Sequence, residues 1–349
     1  MSASPPSDIG STVKSLQPSA KERFAHALTL VPELVQVEAV IRASFRSDVP
    51  SMRNIPEYLL SLGGKRIRPV LTLLCARALG AHEITGDIID VAAGIELIHM
   101  ATLMHDDIID QSPVRRHKPS PYATFGTADT LLSGDFLLTR AFGLCAKLDD
   151  EIINATEQAC IELVEGEALE SALHKDRHTK ATSLTIAQRK TASLFRLAAF
   201  CAAHLTDSPE HTVTHMKTFG ESLGVAFQII DDILDVTSDE ATLGKKQGLD
   251  LVERKPSLVN VLWLESGDPD AQRLLSAPGS PGEERAWVDA SLMKLRDGPI
   301  IAEAKQMAAS YADTATRALA EALGGDLHNL PKEGEALFAV IDFALERVL

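Results

Sequence analysis

Residues 88–110 read IIDVAAGIELIHMATLMHDDIID. Apolar residues recur at spacings of three and four through the whole stretch, the period of a helix buried on most sides. It ends in three aspartates, Asp106, Asp107 and Asp110. A second stretch, GVAFQIIDDILD at residues 224–235, closes in the same way on Asp231, Asp232 and Asp235. Both endings have the form DDxxD. In a helix, positions i and i+4 lie about 40° apart around the axis, so Asp106 and Asp110 share a face, as do Asp231 and Asp235. Three carboxylates within five residues repel one another, and cations remove that cost. Hard oxygen ligands suit Mg²⁺, with water and phosphate oxygens completing its shell. A solvated acidic surface would account for one such cluster. Two copies, each behind an apolar lead-in, point instead to carboxylates at the end of core helices.

The same period runs through VPELVQVEAVI, IPEYLLSLGG, VLTLLCARALG, ADTLLSGDFLLTRAFGLCAKL, EIINATEQACIELVEGEALESALH and LTIAQRKTASLFRLAAFCAAHL. It resumes in IAEAKQMAASYADTATRALAEAL and GEALFAVIDFALERVL. No period-two alternation is sustained, so the spacing predicts one all-α domain over 19–349 behind a disordered tail at 1–18. Residues 266–299 hold SGDPD, SAPGSPGEE and RDGP and read as a loop-rich, exposed excursion.

With 349 residues, 45% hydrophobic and 24% charged, the chain has the balance of a globular protein large enough for a sizeable core. Lys and Arg number 34 against 49 Asp and Glu, a net charge of −15, which argues against a nucleic-acid partner. Cys75, Cys145, Cys160 and Cys201 are scattered among apolar neighbours with no CxxC, the usage of reduced, buried thiols. The first twenty residues lack the apolar stretch of a secretory signal, and charged residues interrupt every candidate membrane span. A cytoplasmic protein without a transmembrane anchor is expected.

Basic segments alternate with the acidic clusters. Gly63-Gly64-Lys65-Arg66-Ile67-Arg68-Pro69 sets three cations beside a flexible Gly-Gly, which suits close approach to an anion. By itself it could equally be a helix start with a solvated charge run. Arg115-Arg116-His117-Lys118 follows the first aspartate cluster, and Lys190, Lys245, Lys246, Arg254 and Lys255 supply further cations. Carboxylates that hold a metal, with cations that neutralise what remains, make up a metal-diphosphate site.

In the order and spacing of GGKRIRP, ELIHMATLMHDDIID, RRHKPS, SGDFLLTRAF, EGEALE, RKTASLF and GVAFQIIDDILDVTSDEATLGK, the chain resembles the trans-isoprenyl diphosphate synthases, the polyprenyl synthetase family. The resemblance covers nearly everything from about residue 20 onward. It implies a deep central cavity with the two Asp motifs facing across its mouth, and a homodimer. It further implies head-to-tail condensation of isopentenyl diphosphate with an allylic diphosphate of C5–C20. On the same grounds Asp106, Asp110, Asp231 and Asp235, with Asp107 and Asp232 beside them, are the expected Mg²⁺ ligands. Arg115, Lys190, Lys245 and Lys255 would touch the allylic diphosphate, and Lys65, Arg68, His99 and Arg116 isopentenyl diphosphate. Thr191 and Gln228 would flank the reacting carbons. The sequence departs from the family's usual pattern at His117, where a glycine is common, at Ser120, where a threonine is, and at Glu170, where many relatives carry Gln. It departs again after Asp250, in LVERKPSLVN.

Product length is expected from the residues one turn before Asp106. Ala101 and Thr102 are both small, so the resemblance implies an all-trans product of C20 or longer, C30–C50 first, with Phe136 as a candidate deeper floor. Rival readings fit less well. A terpene cyclase would carry a different second motif in place of Asp235 and Asp239, a non-catalytic partner subunit would have degraded Asp motifs, and a di-iron protein would need a second ExxH beside Glu96–His99.

Overall fold

The computed structural model describes residues 19–172, 179–238, 247–326 and 330–346. The expected tail at 1–18 lies outside them, as do Lys245 and Lys246. Among the described residues, strands are confined to the two-residue pair β1 (Val114–Arg115) and β2 (Lys118–Pro119); the rest of the regular structure is helical.

In chain order the helices are α1 (Ala20–Thr29), α2 (Leu34–Ser44), α3 (Pro50–Ser61), α4 (Ile67–Ala78), α5 (Gly86–Ile109), α6 (Pro121–Phe125), α7 (Thr127–Cys145) and α8 (Asp150–Ala172). There follow α9 (Lys180–Ile186), α10 (Ser193–His204), α11 (Glu210–Thr237), α12 (Leu249–Val252), α13 (Leu258–Glu265), α14 (Pro281–Arg296), α15 (Pro299–Ala322) and α16 (Lys332–Glu346).

The helix read from residues 88–110 is α5. Thr85 caps it by accepting from the Ile88 N–H, and it is buried on nearly every side between α7, α2, α4 and α10. By length and composition α5 could span a membrane, but most of its apolar stretch is buried inside the protein, so it is a core helix. α11 carries the second Asp cluster and packs on α10 and α15. A Cβ on Gly224 would fall 2.5 Å from the Ala192 Cα, so this glycine lets α11 approach the start of α10 closely. The segment LTIAQRKTASLFRLAAFCAAHL, read as one helix, is broken by a π turn at Ala187–Ala192, which carries Lys190 and Thr191.

The excursion expected at 266–299 is instead mostly helical. Pro269–Leu275 is a 3₁₀ turn and α14 fills 281–296, burying Trp287, Val288, Leu292 and Leu295 beside Trp263. Its prolines explain the difference. Pro269, Pro281 and Pro299 all stand in the first turn of their helices, where a missing N–H costs nothing, and Ser280 with Glu283 forms a capping box. Those residues start helices rather than fill loops.

Candidate active site

The N-terminal end of α4, the middle of α5, the π turn and α11 surround a cavity of about 550 Å³. Lys65, Arg66, Arg68 and Arg116 line one end together with Glu96 and His99. Asp106, Lys190, Thr191, Gln228 and Asp231 line the other. A smaller adjoining pocket of about 190 Å³ shares the last four and adds Glu170, Asp232, Asp250 and Lys255.

The cationic end is built on an unusual loop. Gly64 (φ +148°) and Arg66 (φ 50°) flank Lys65, and Arg66 stands at the N-cap of α4 in a left-handed conformation. A Cβ on Gly64 would lie 3.1 Å from an Arg116 guanidinium nitrogen and closer still to one of Arg66, both able to shift, but its φ is one that other residues rarely adopt, so glycine suits this turn. Arg66 donates to the Leu60 and Gly63 carbonyls and to Glu96, each at 3.4 Å, while Arg68 lies 4.9 Å over the Phe195 ring. Burial pushes the Glu96 carboxyl up, against the pull of Arg66, Arg68 and Arg116. Burial, reinforced by the neighbouring arginines, holds His99 well below its usual value, so a neutral imidazole faces the cavity.

Arg116 reaches the cavity from the β1–β2 hairpin. Its two-residue turn puts both Arg116 (φ 51°) and His117 (φ 64°) in the left-handed region, as a type I′ turn requires. A glycine at position 117 would sit there without strain.

The aspartates divide into two sets. Asp106 and Asp231 face the large cavity, and Asp231 and Asp232 the smaller one. Burial pushes Asp106 up to about 7, with Lys190 opposing the rise and Glu167 adding to it. Asp232 is raised by burial although it accepts from Gln228 Nε2 at 2.9 Å and the Leu258 N–H at 2.8 Å. Asp107, about 100° further round α5, is fully buried and lines neither pocket. It accepts from Arg115 Nε at 3.0 Å and Nη2 at 2.8 Å, so this pair braces the hairpin. Asp235 likewise lies off both pockets, buried, accepting the Asp250 N–H at 3.0 Å and fixing the chain's return. Asp110, at the end of α5, pairs with Lys255 at 2.9 Å.

At the aspartate end a short relay of hydrogen bonds leads from the large cavity toward the smaller pocket. Thr191 Oγ1 donates to Gln228 Oε1 at 2.6 Å, and Gln228 then donates to Asp232. Lys190 pairs with Glu167 and Glu170. Burial disfavours its ammonium, but Glu170, Asp106 and Glu167 outweigh burial and hold its pKa above the usual lysine value. Arg254 turns away from the site to pair with Glu284 and lies 5.0 Å from the Trp287 ring.

A family model described as polyprenyl synthetase matches residues 49–293. The chain belongs to the polyprenyl synthetase family. It is 35% identical over 293 residues to the octaprenyl diphosphate synthase of Escherichia coli (strain K12), covering 82% of this chain and 89% of that protein. It is 32% identical over 323 residues to the nonaprenyl diphosphate synthase of Mycobacterium tuberculosis, covering 90% and 92%. Among solved structures, the polyprenyl synthase from Caulobacter crescentus CB15, complexed with calcium and isoprenyl diphosphate, superposes with a TM-score of 0.83 at 31% identity, over 92% of this chain and 97% of that one.

In this polyprenyl synthetase the residues below the first Asp motif differ from expectation. Thr102 and Leu103 line the cavity with Leu163 and Phe227, whereas Ala101 is fully buried in the core. The helical step explains it, because residues three and four before Asp106 share its face and the fifth is turned away. Phe136 is half-buried, lines neither pocket, and lies under Arg140 at 5.7 Å. Sequence reasoning passed over Glu96 and Glu167 as parts of the site, while Arg66, one of the three cations beside the Gly-Gly, lines the cavity as that segment suggests. Glu96 precedes His99 by three residues on α5, a spacing that places the two on one face.

Proposed function

We propose that this protein is a trans-polyprenyl diphosphate synthase. It condenses isopentenyl diphosphate head-to-tail onto an allylic diphosphate, releases inorganic diphosphate and makes an all-trans product of C20 or longer, C30–C50 first. The observation that carries the reading is one cavity with Asp106 and Asp231 at one end and Lys65, Arg68, Arg116 and His99 at the other. Two diphosphates can be held there with their reactive carbons toward each other.

Among the described residues no three His, Cys, Asp or Glu side chains close on a single point. A donor set of one or two carboxylates per ion, open toward substrate phosphates, fits Mg²⁺. Asp106, Asp231 and Asp232 would hold it, with Asp110 beside them, and it would supply charge neutralisation on the allylic diphosphate. Lys190 and Lys255 add fixed positive charge at the same end, stabilising the diphosphate as the allylic C–O bond breaks and the bonding pair leaves with oxygen. Leu103, Leu163 and Phe227 keep water from the allylic cation. The isopentenyl double bond supplies the pair for the new C–C bond. Thr191 and Gln228, locked to each other, flank this point, and the proton lost from the isopentenyl unit passes to a released diphosphate oxygen.

Names such as octaprenyl and nonaprenyl among the relatives support a long product. Leu131 and Leu132 on α7 and Ile161 and Val164 on α8 are exposed apolar side chains on packed helices, which supports a homodimer through that face. Four free thiols suit a reducing cytoplasm. The test is to incubate the protein with Mg²⁺, isopentenyl diphosphate and C5 to C20 primers, and to size the dephosphorylated products. A ladder ending at C30 or beyond supports the reading; cyclised hydrocarbon or no turnover sinks it.

A further inference from the structure

Lys65 lines the cationic end of the large cavity, but it sits on the irregular loop between Gly64 and Arg66, where no helix restrains its long, exposed side chain. Its ammonium lies 4.4 Å from the ring centroid of Phe343, on the C-terminal helix α16. The same ring stacks on Phe24 of α1, with centroids 4.4 Å apart and planes 14° from parallel. Two groups that close over one centroid occupy opposite faces of the ring, so Phe24 backs Phe343 while Lys65 covers its front. The terminal helices are also pinned together by charge. Arg23 Nη2 lies 3.0 Å from Asp342 and 3.0 Å from Glu346, and α16 packs on both α1 and α4.

We infer that Phe343 is a positioning residue for Lys65, holding its ammonium toward the diphosphate that enters the cationic end of the cavity. The inference rests on the proposed reaction for the identity of that diphosphate. The ring attracts the cation through its quadrupole, and an ammonium over a ring keeps N–H donors for phosphate oxygens. Holding a flexible lysine before substrate arrives reduces the ordering that binding must bring about. The C-terminal helix thereby becomes part of a substrate site whose other cations come from α4 and the β1–β2 hairpin.

The test is a double-mutant cycle. Phe343→Leu should raise the KM for isopentenyl diphosphate about two- to five-fold, the range of a cation–aromatic contact at an exposed site. The KM for the allylic primer and kcat should stay at the wild-type level. Phe343→Tyr and Phe343→Trp, which keep an aromatic face, should restore the KM. In a Lys65→Met background, Phe343→Leu should add nothing. A rise of equal size in both backgrounds, or kcat and both KM values moving together, would show that the ring serves packing alone and overturn the inference. Should Phe343→Leu fold poorly, Phe343→Met, which keeps bulk without a ring, carries the same comparison against Lys65→Met. The cycle is read a second time as the Kd of inorganic diphosphate by calorimetry. Coupling there with no prenyl transfer by the wild type would sink the proposed reaction and leave the pairing standing. No coupling there would overturn the pairing whatever the turnover.

Discussion

Lys255 Nζ lies 2.9 Å from Asp110 Oδ2, joining the segment that follows the second Asp cluster to the end of the first. The same ammonium is 3.1 Å from Glu253, and its side chain is only 17% exposed. Burial disfavours the charged lysine, but Glu170, Asp110, Asp250 and Glu253 more than compensate and hold its pKa above the ordinary value. A cation bracketed in this way both restrains the carboxylates and faces the smaller pocket. Lys255→Met leaves Asp110 and Glu253 without their shared counter-charge and removes a charge-assisted contact of about 1.5–3 kcal/mol. The expected outcome is a rise of about tenfold or more in the allylic-diphosphate KM, with the isopentenyl KM moving less, read from initial rates with each substrate varied in turn.

Asp106→Asn and Asp231→Asn each remove a carboxylate from the large cavity. Each should lower kcat by about 10²–10³-fold, the scale on which single groups that stabilise developing charge act. Removing divalent ions with EDTA should abolish turnover of the wild type, and added Mg²⁺ should restore it. Asp107→Asn should act differently. It weakens the hold on Arg115, so thermal stability should fall along with activity.

Product length separates Thr102 from Ala101. Thr102→Phe places a ring in the wall of the cavity and should shorten the product ladder by one or more five-carbon units, read by chromatography of the dephosphorylated alcohols. Ala101→Phe puts the same ring into a packed core, where overpacking costs about 1–3 kcal/mol, so its main effect should be a lower Tm.

Much of this was legible in the sequence because it depends on period and spacing. The apolar spacing of 88–110 and 224–235 gave both core helices, and the resemblance to the polyprenyl synthetases implied the shared cavity that Asp106 and Asp231 line. The residue-level division within each cluster was not legible. Asp107 and Asp235 look identical to their neighbours in a string, but each is claimed by a group beyond the end of its own helix, the Arg115 side chain in one case and the Asp250 backbone in the other. The π turn at Ala187–Ala192 was hidden because it leaves the apolar spacing nearly intact. The helix at 281–296 was hidden because proline marks helix starts as readily as loops. Phe343 meets Lys65 only through the packing of the two chain ends, which no local pattern encodes.

His117 stands at φ 64° in a turn whose other central residue, Arg116, is also left-handed. A residue with a Cβ costs about 1–2 kcal/mol in that conformation, and glycine avoids the cost. His117→Gly should therefore raise stability by up to about that amount, measured as a higher denaturant midpoint at unchanged m-value. Catalytic constants should be preserved, since the hairpin keeps the geometry that aims Arg116.

The pH dependence of stability should carry the mark of Asp106. Burial pushes its folded-state pKa up to about 7, whereas an exposed aspartate titrates near 3.9. A carboxyl raised in this way favours the folded state while it is protonated. Its stabilisation is complete below the unfolded pKa and is lost as pH rises through the folded one. Linkage over that interval amounts to about 2 kcal/mol between pH 5.5 and pH 8 in metal-free solution. Lower pH brings an opposite term. Glu284, whose carboxyl is held down chiefly by its hydrogen bond from Arg254, gives stability that is lost as pH falls below the usual carboxylate range. Within the window from 5.5 to 8 Asp106 acts with the other raised carboxyls, Asp232, Glu96 and Asp107, against His99, whose folded imidazole stays neutral while the unfolded one gains a proton as pH falls. In EDTA the wild type should melt at a higher temperature at pH 5.5 than at pH 8, and Asp106→Asn, neutral throughout, should flatten that slope. A pH slope that Asp106→Asn leaves unchanged would mean that Asp106 ionises freely in the folded protein.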